Sequence, residues 1–168
     1  MIGLPVVDPE AAPSLAKRVI TPVALTKAGT WFLKNVSRRV DPTLARLSRG
    51  RVSTIVFTPV VLLSTTGARS GLNRTVPLLY FTDGARAILV ASNYGGTRHP
   101  AWYHNVRANP EVTLSAGGYD GRFLGRETTG EERERLWALA QQLTRGYSQY
   151  ETTTQGRQIP VLAFTPIS

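Results

Sequence analysis

Two segments of this chain concentrate the residue types that hold anions. The first is Thr65-Thr66-Gly67-Ala68-Arg69-Ser70-Gly71, which joins a strand-like apolar run to Asn73, Arg74 and Pro77. Gly67 and Gly71 permit positive φ and a close backbone approach, the hydroxyls of Thr65, Thr66 and Ser70 donate, and Arg69 supplies charge. Arg74 can stand beside Arg69 across a hairpin, giving a two-Arg clamp for phosphate or carboxylate. The glycine spacing fits neither the phosphate loop with its GK[ST] ending nor the dinucleotide fingerprint. Taken alone, an ordinary hairpin turn is the simpler reading.

The second segment runs from Ser92 through Asn93, Gly95, Gly96 and His99 into a helix expected from Pro100. The N–H groups and dipole of such a helix start suit an anion or a carbonyl-rich ring edge. Trp102 and Asn105 are three apart, so they share a helix face as an aromatic wall with an amide donor, or as a core residue with a polar neighbour. A third cluster, Tyr147, Tyr150 and Thr152 to Thr154 before Arg157, falls in a long connection of the kind that forms lids. A tyrosine there can wall a pocket or donate a proton, or simply cover a barrel mouth.

Other chemistries are excluded or disfavoured. With no cysteine, disulfides, thiolate metal sites and Cys nucleophiles are ruled out. His99 and His104 are five apart, off a common helix face, and neither has an evident Ser or Asp partner, so a metal pair and a hydrolytic triad gain little support. Chemistry carried by a bound cofactor is what remains.

Mostly strands frame these segments. Residues 60–66 and 75–82 are apolar, β-branched runs, and Asp83-Gly84 marks a hairpin into 87–92. A short helix follows Pro100 and stops at Asn109-Pro110. Residues 111–116, the Gly117-Gly118 turn and 122–128 form a second hairpin. Thr129 with Glu132 reads as a capping box for a helix with Leu136, Leu139, Ala140 and Leu143 on one stripe. Residues 160–165 give the last strand. About six strands joined mainly by hairpins argue for an α+β, mainly β fold: a small antiparallel barrel with inserted helices.

The N-terminal part has a different texture. Pro5, Pro9 and Pro13 predict an irregular start, Thr21-Pro22 opens a helix through Trp31 and Phe32, and Asp41-Pro42 opens a shorter one. Residues 1–51 hold nine Lys/Arg against three acids, a net +6 of the chain's +9. That asymmetry suits an anionic membrane face or nucleic acid, or a solvated basic helix face. Nucleic acid is the weakest choice, because stacking aromatics do not accompany the cations. The expected division is a basic helical extension over 1–50 and a barrel domain over 51–168. At 168 residues, with neither a signal peptide nor a membrane span evident, a cytoplasmic protein, peripheral at the inner membrane face if the basic segment binds there, is the expectation.

The motifs then resemble a known family. Ser64-Thr65-Thr66-Gly67-x-Arg69-Ser70-Gly71, Arg74-x-x-Pro77-Leu78, Ala91-Ser92-Asn93-x-Gly95 and His99-Pro100-x-Trp102-Tyr103-x-Asn105-x-x-Ala108-Asn109-Pro110 are similar, in order and spacing, to the deazaflavin-dependent nitroreductase family of actinobacteria. The resemblance implies a six-stranded split β-barrel that binds coenzyme F420, a deazaflavin with a ribityl phosphate, a lactyl unit and an oligoglutamate tail. It implies that Ala68, Arg69 and Ser70 hold the phosphate and tail. Arg74, Thr75, Val76, Pro77, Leu78 and Leu79, with Val90, Ala91, Ser92 and Asn93, would line the deazaflavin and ribityl chain. Ala101, Trp102, Tyr103, His104 and Asn105 would border the cofactor, and Tyr147 would lie over ring and substrate.

By this resemblance the chain is an F420H2-dependent reductase that passes a hydride to quinones, nitroaromatics or activated enones, with Tyr147 or Ser92 donating to the anion that forms. Where many members carry two cations after the glycine, this chain has Ala68 then Arg69, which predicts a weaker grip on the tail. Two alternatives stay open: an FMN-binding split barrel, and a carrier of F420 or a lipid-like ligand without turnover. A homodimer also stays open.

Overall fold

The computed structural model describes residues 3–10, 59–144 and 146–167. The two expected N-terminal helices, and most of the basic extension, lie outside the described residues. Six strands close into an antiparallel barrel: β1 (Val60–Thr66), β2 (Asn73–Asp83), β3 (Arg86–Val90), β4 (Glu111–Ala116), β5 (Tyr119–Glu127) and β6 (Val161–Pro166), in the order β1-β2-β3-β6-β5-β4. Between them lie a single 3-10 turn (Asn93–Gly95) and three helices, α1 (Ala101–Ala108), α2 (Gly130–Leu143) and α3 (Gly146–Thr153).

Strand alternation builds two cores from one sheet. Val61, Leu63, Tyr80, Ala87, Leu89, Leu114, Phe123, Leu162 and Phe164 fill the barrel, and Trp102, Tyr103 and Val106 of α1 join them. The intervening residues Phe81, Ile88, Val90, Val161 and Ala163 face the other way and pack under Leu136, Trp137 and Ala140 of α2 and Tyr147 of α3. The apolar stripe expected on α2 is therefore what seats it.

One expectation is refined and two are corrected. The segment 3–10 is irregular, as its prolines predict, but it does not wander: Val7 exchanges backbone and hydroxyl hydrogen bonds with Thr82, and Tyr80 Oη donates to the Pro5 carbonyl at 2.9 Å. Leu4 and Val7 pack against the barrel core, so apolar burial fixes a stretch that its prolines keep from regular structure. The capping box at Thr129 does not form, since Thr129 occupies the N-cap position without a side-chain cap bond. Glu132 is drawn instead to two guanidiniums, Arg86 at 2.6 Å and Arg126 at 2.8 Å. Finally, the connection before β6 is not an open loop but contains α3.

Glu132 belongs to an ionic network that ties α2 to the β2–β3 hairpin and β5. Asp83 pairs with Arg86 and accepts a forked contact from Arg135 at 2.9 and 3.0 Å. The Arg135 fork, with Arg86, holds the Asp83 carboxyl down to about 2, and Arg126 with Arg86 does the same for Glu132, also to about 2. Both folded-state values lie below the unfolded range of roughly 4. The stabilisation is therefore complete above roughly pH 4 and drains away as pH falls toward about 2. Thermal melts across this window should show a falling melting temperature, and Asp83→Asn should flatten the slope. An unchanged slope in that variant would contradict the assignment.

Candidate functional site

The first predicted segment is a tight turn between β1 and β2. Gly67 N–H donates to the Leu72 carbonyl and Gly71 N–H to the Gly67 carbonyl, both at 2.8 Å. Positive φ is needed only at Gly71. Gly67 is required by proximity, because a Cβ there would lie 2.6 Å from Ser70 Oγ and 3.2 Å from the Leu72 carbonyl. At the apex the N–H groups of Arg69 and Ser70 have no partner among the described residues, and Arg69 and Arg74 are exposed without a carboxylate.

Asn105 anchors this turn. Its Oδ1 accepts from Ala68 N–H at 3.0 Å and its Nδ2 donates to Thr65 Oγ1 at 3.1 Å, with both side chains buried. Thr65 Oγ1 in turn donates to the Arg74 carbonyl at 3.4 Å. The amide that shares a helix face with Trp102 thus spends its polar atoms on the turn, while Trp102 packs into the barrel core. Asn109 adds a bond from its Nδ2 to the Thr66 carbonyl at 3.4 Å. These bonds tie α1 to the 67–72 turn.

Arg74 through Leu79 lie on β2, and alternation splits them. Val76 and Leu78 pack against the barrel core, whereas Thr75, Pro77 and Leu79 face outward opposite Ser64, Leu62 and Val60. Ser64 Oγ and Thr75 Oγ1 are 2.7 Å apart on that outer face. Val90 is buried beneath α2 and α3, and Ala91 inside the barrel.

The second segment leaves β3 at Ser92 and turns through Asn93 and Tyr94, both at positive φ (50° and 53°). Asn tolerates this conformation; a tyrosine held there is strained. Asn93 Nδ2 donates to the Arg98 carbonyl at 2.9 Å. Pro100 caps α1 in extended conformation, one residue before the helix expected to include it. Ala101 and His104 are exposed, and Tyr103 is buried with its hydroxyl donating to Glu127 Oε2 at 2.7 Å. Desolvation, then that carboxylate, raises the Tyr103 phenol above its usual range.

The residue whose role the sequence did not disclose is Arg157. Its guanidinium donates to the carbonyls of Ser92 (2.9 Å), Gly96 (2.9 and 3.1 Å) and Ala91 (3.4 Å), and meets His99 Nδ1 at 3.0 Å. One side chain therefore shapes the whole 91–99 loop. The only hint is that no acid follows Glu151 in the chain, leaving this Arg without a sequence-local carboxylate.

Tyr147 sits deep, 5 % exposed, its ring against Trp137 and Tyr150. Burial pushes its phenol well above the usual value, so the hydroxyl stays protonated. Ser92 is half-buried, and its hydroxyl has no partner among the described residues. No group of three or more His, Asp or Glu that could hold a metal occurs among the described residues.

The closed six-stranded barrel thus carries a turn bound to α1 through Asn105 and, just before the same helix, a loop clamped by Arg157, on a split-barrel fold shared with F420-dependent reductases. Residues 36–166 match the family model described as F420H(2)-dependent quinone reductase, and the chain belongs to that family. It is an oxidoreductase that depends on reduced coenzyme F420. An F420H(2)-dependent quinone reductase of Mycobacterium tuberculosis is 33% identical over 143 residues, covering 80% of this chain and 95% of the relative. Among solved structures, an F420-H2-dependent reductase is 43% identical, with a TM-score of 0.58, over 63% of this chain and 93% of that one. A second, described as a domain-swapped dimer, is 36% identical with a TM-score of 0.61, over 82% and 99%.

Proposed function

We propose that the chain reduces a quinone with reduced F420 held between the 67–74 turn and the 91–105 segment. The observation that carries this reading is the turn itself: among the described residues, two N–H groups at its apex have no partner, and Arg69 at the apex and Arg74 near the start of β2 are exposed without a carboxylate. That donor set fits the anionic oxygens of a phosphate and of the carboxylates of an oligoglutamate tail. Arg69, Ser70 and Arg74 would hold the tail and phosphate, while the outer-face residues Thr75, Pro77 and Leu79 and the Ser92–Asn93 turn would border the remainder.

When bound, the reduced cofactor supplies a hydride to the acceptor. The residues of this chain orient the reactants, exclude water on the barrel side, and place donors where negative charge grows on a quinone oxygen. The Ser92 hydroxyl is available for that purpose. Tyr147 is buried against Trp137 and Tyr150, and its raised phenol suits a hydrogen-bond donor better than a proton source. Nitroaromatics and activated enones accept a hydride with similar growth of charge and extend the acceptor range.

The basic segment 1–51 would bring the site to an anionic lipid surface where lipid-soluble quinones reside. Sedimentation with anionic vesicles should capture the protein, and neutral vesicles should not; equal binding to both would remove the electrostatic role.

The cradle is tested by Arg69→Ala with Arg74→Ala. Exposed charge-assisted contacts contribute about 1 kcal/mol each, so F420 affinity should fall roughly ten- to thirtyfold in the double variant, with the melting temperature unchanged. The wild-type affinity should also weaken with added salt. An unaltered dissociation constant would exclude the turn as the tail site.

A further inference from the structure

The Arg157–His99 contact decides a chemical state. A guanidinium stays protonated in proteins and can only donate, so the lone pair it meets must be on His99 Nδ1. The proton of a neutral His99 then resides on Nε2, which has no partner among the described residues. The ring is half-buried, held against Tyr103 with centroids 4.7 Å apart and flanked by His104 at 6.0 Å. It stands at the junction of the 92–96 turn and the start of α1.

We propose that Arg157 is a positioning residue for the reductase: it holds His99 as the Nε2–H tautomer, which presents a neutral N–H donor to a carbonyl oxygen of the bound ligand. The donor role presupposes the F420 reading of this site, and the tautomer does not. The ligand chemistry is a ring carbonyl, which both the deazaflavin and a quinone possess. A neutral donor is useful here for a physical reason. It stabilises charge as charge develops, whereas an imidazolium would lose the Arg157 contact and place two cations against each other.

The surroundings favour the neutral ring. Desolvation, then Arg157, His104 and Arg107, push the His99 value below its usual range, and Glu127 alone opposes them. Arg157 also makes the state costly to escape, since the guanidinium that faces His99 is fixed by three backbone carbonyls.

Nitrogen-detected NMR of the ligand-free protein reads the tautomer directly. The chain has two histidines, so a His104→Gln variant assigns both. The expected result is His99 protonated at Nε2 and bare at Nδ1 near neutral pH; a proton on Nδ1, or an imidazolium, would overturn the proposal. In Arg157→Ala the His99 value should rise and the tautomers should mix. An unchanged spectrum in a folded variant would overturn it too, and if that variant does not fold, the wild-type spectrum still decides.

Kinetics then locates the carbonyl. His99→Leu should lose roughly ten- to a hundredfold in kcat/KM for menadione, and His99→Gln, which keeps an N–H near the Nε2 position, should recover most of it. A weakened F420 dissociation constant in His99→Leu assigns the carbonyl to the cofactor. An intact constant with lowered kcat/KM assigns it to the quinone. If both are unchanged, the donor role is wrong. Failure of the wild-type protein to bind F420 would remove the reductase reading while leaving the tautomer result standing.

Discussion

Asn105→Ala is expected to lower the melting temperature and weaken F420 binding together. Its amide bonds two groups at once, the N–H of exposed Ala68 and the buried Thr65 hydroxyl. Truncation leaves both without their partner, at a cost of about 2–3 kcal/mol, or a melting shift of roughly 5–10 °C for a domain of this size. Because the same amide locks the 67–72 turn to α1, the apex N–H groups would lose their fixed aim, and F420 affinity should fall by roughly tenfold or more. Asn105→Asp keeps the acceptor for Ala68 and should fall between. A loss of affinity with the melting temperature intact would mean that Asn105 touches the ligand itself, contrary to the geometry.

Gly95→Ala is expected to be as damaging by another route. Gly95 has φ of 72°, where any other residue is strained by about 1 kcal/mol or more. An added Cβ would also strike Thr153 Oγ1 and lie 3.0 Å from Tyr150 Cδ1 and 3.3 Å from Tyr150 Cα. Thr153 Oγ1 presently donates to the Gly95 carbonyl at 3.1 Å, so α3 rests directly on the loop backbone. The substitution should detach α3, expose Tyr147 and Tyr150, and cost about 2–3 kcal/mol. Limited proteolysis should cut first near residues 146–157. A variant with wild-type melting temperature and proteolytic resistance would show that the approach of α3 is not what holds the loop.

The strands were the legible part of the fold. β1 and β4 follow expected boundaries because apolar alternation between turn residues leaves one register. The helix at Gly146 escaped notice because glycine, tyrosines and threonines have little helix propensity, and its support comes from the contact with Gly95 and the packing of Tyr147 on Trp137. The capping box at Thr129 failed for a similar reason: a local pattern competed with Arg86 and Arg126, which are distant in sequence or on another strand.

At the site, residue types marked the turn at Arg69 and the helix start at Ala101, while their coupling through Asn105 became visible only in three dimensions. The run 74–79 was read as one lining, and the pleat divides it between core and outer face. Arg157 was the largest omission. Hydrogen bonds to backbone carbonyls leave no signature in sequence, since every residue offers the same acceptor.

As a member of the F420H(2)-dependent quinone reductase family, this barrel holds reduced F420 and passes its hydride to a quinone. Anaerobic mixing of wild-type protein with F420H2 and menadione tests it most directly, followed by the return of oxidised F420 absorbance. Protein-dependent oxidation that saturates in both reactants is the predicted result. No binding at micromolar F420, with tight binding of FMN instead, would contradict it.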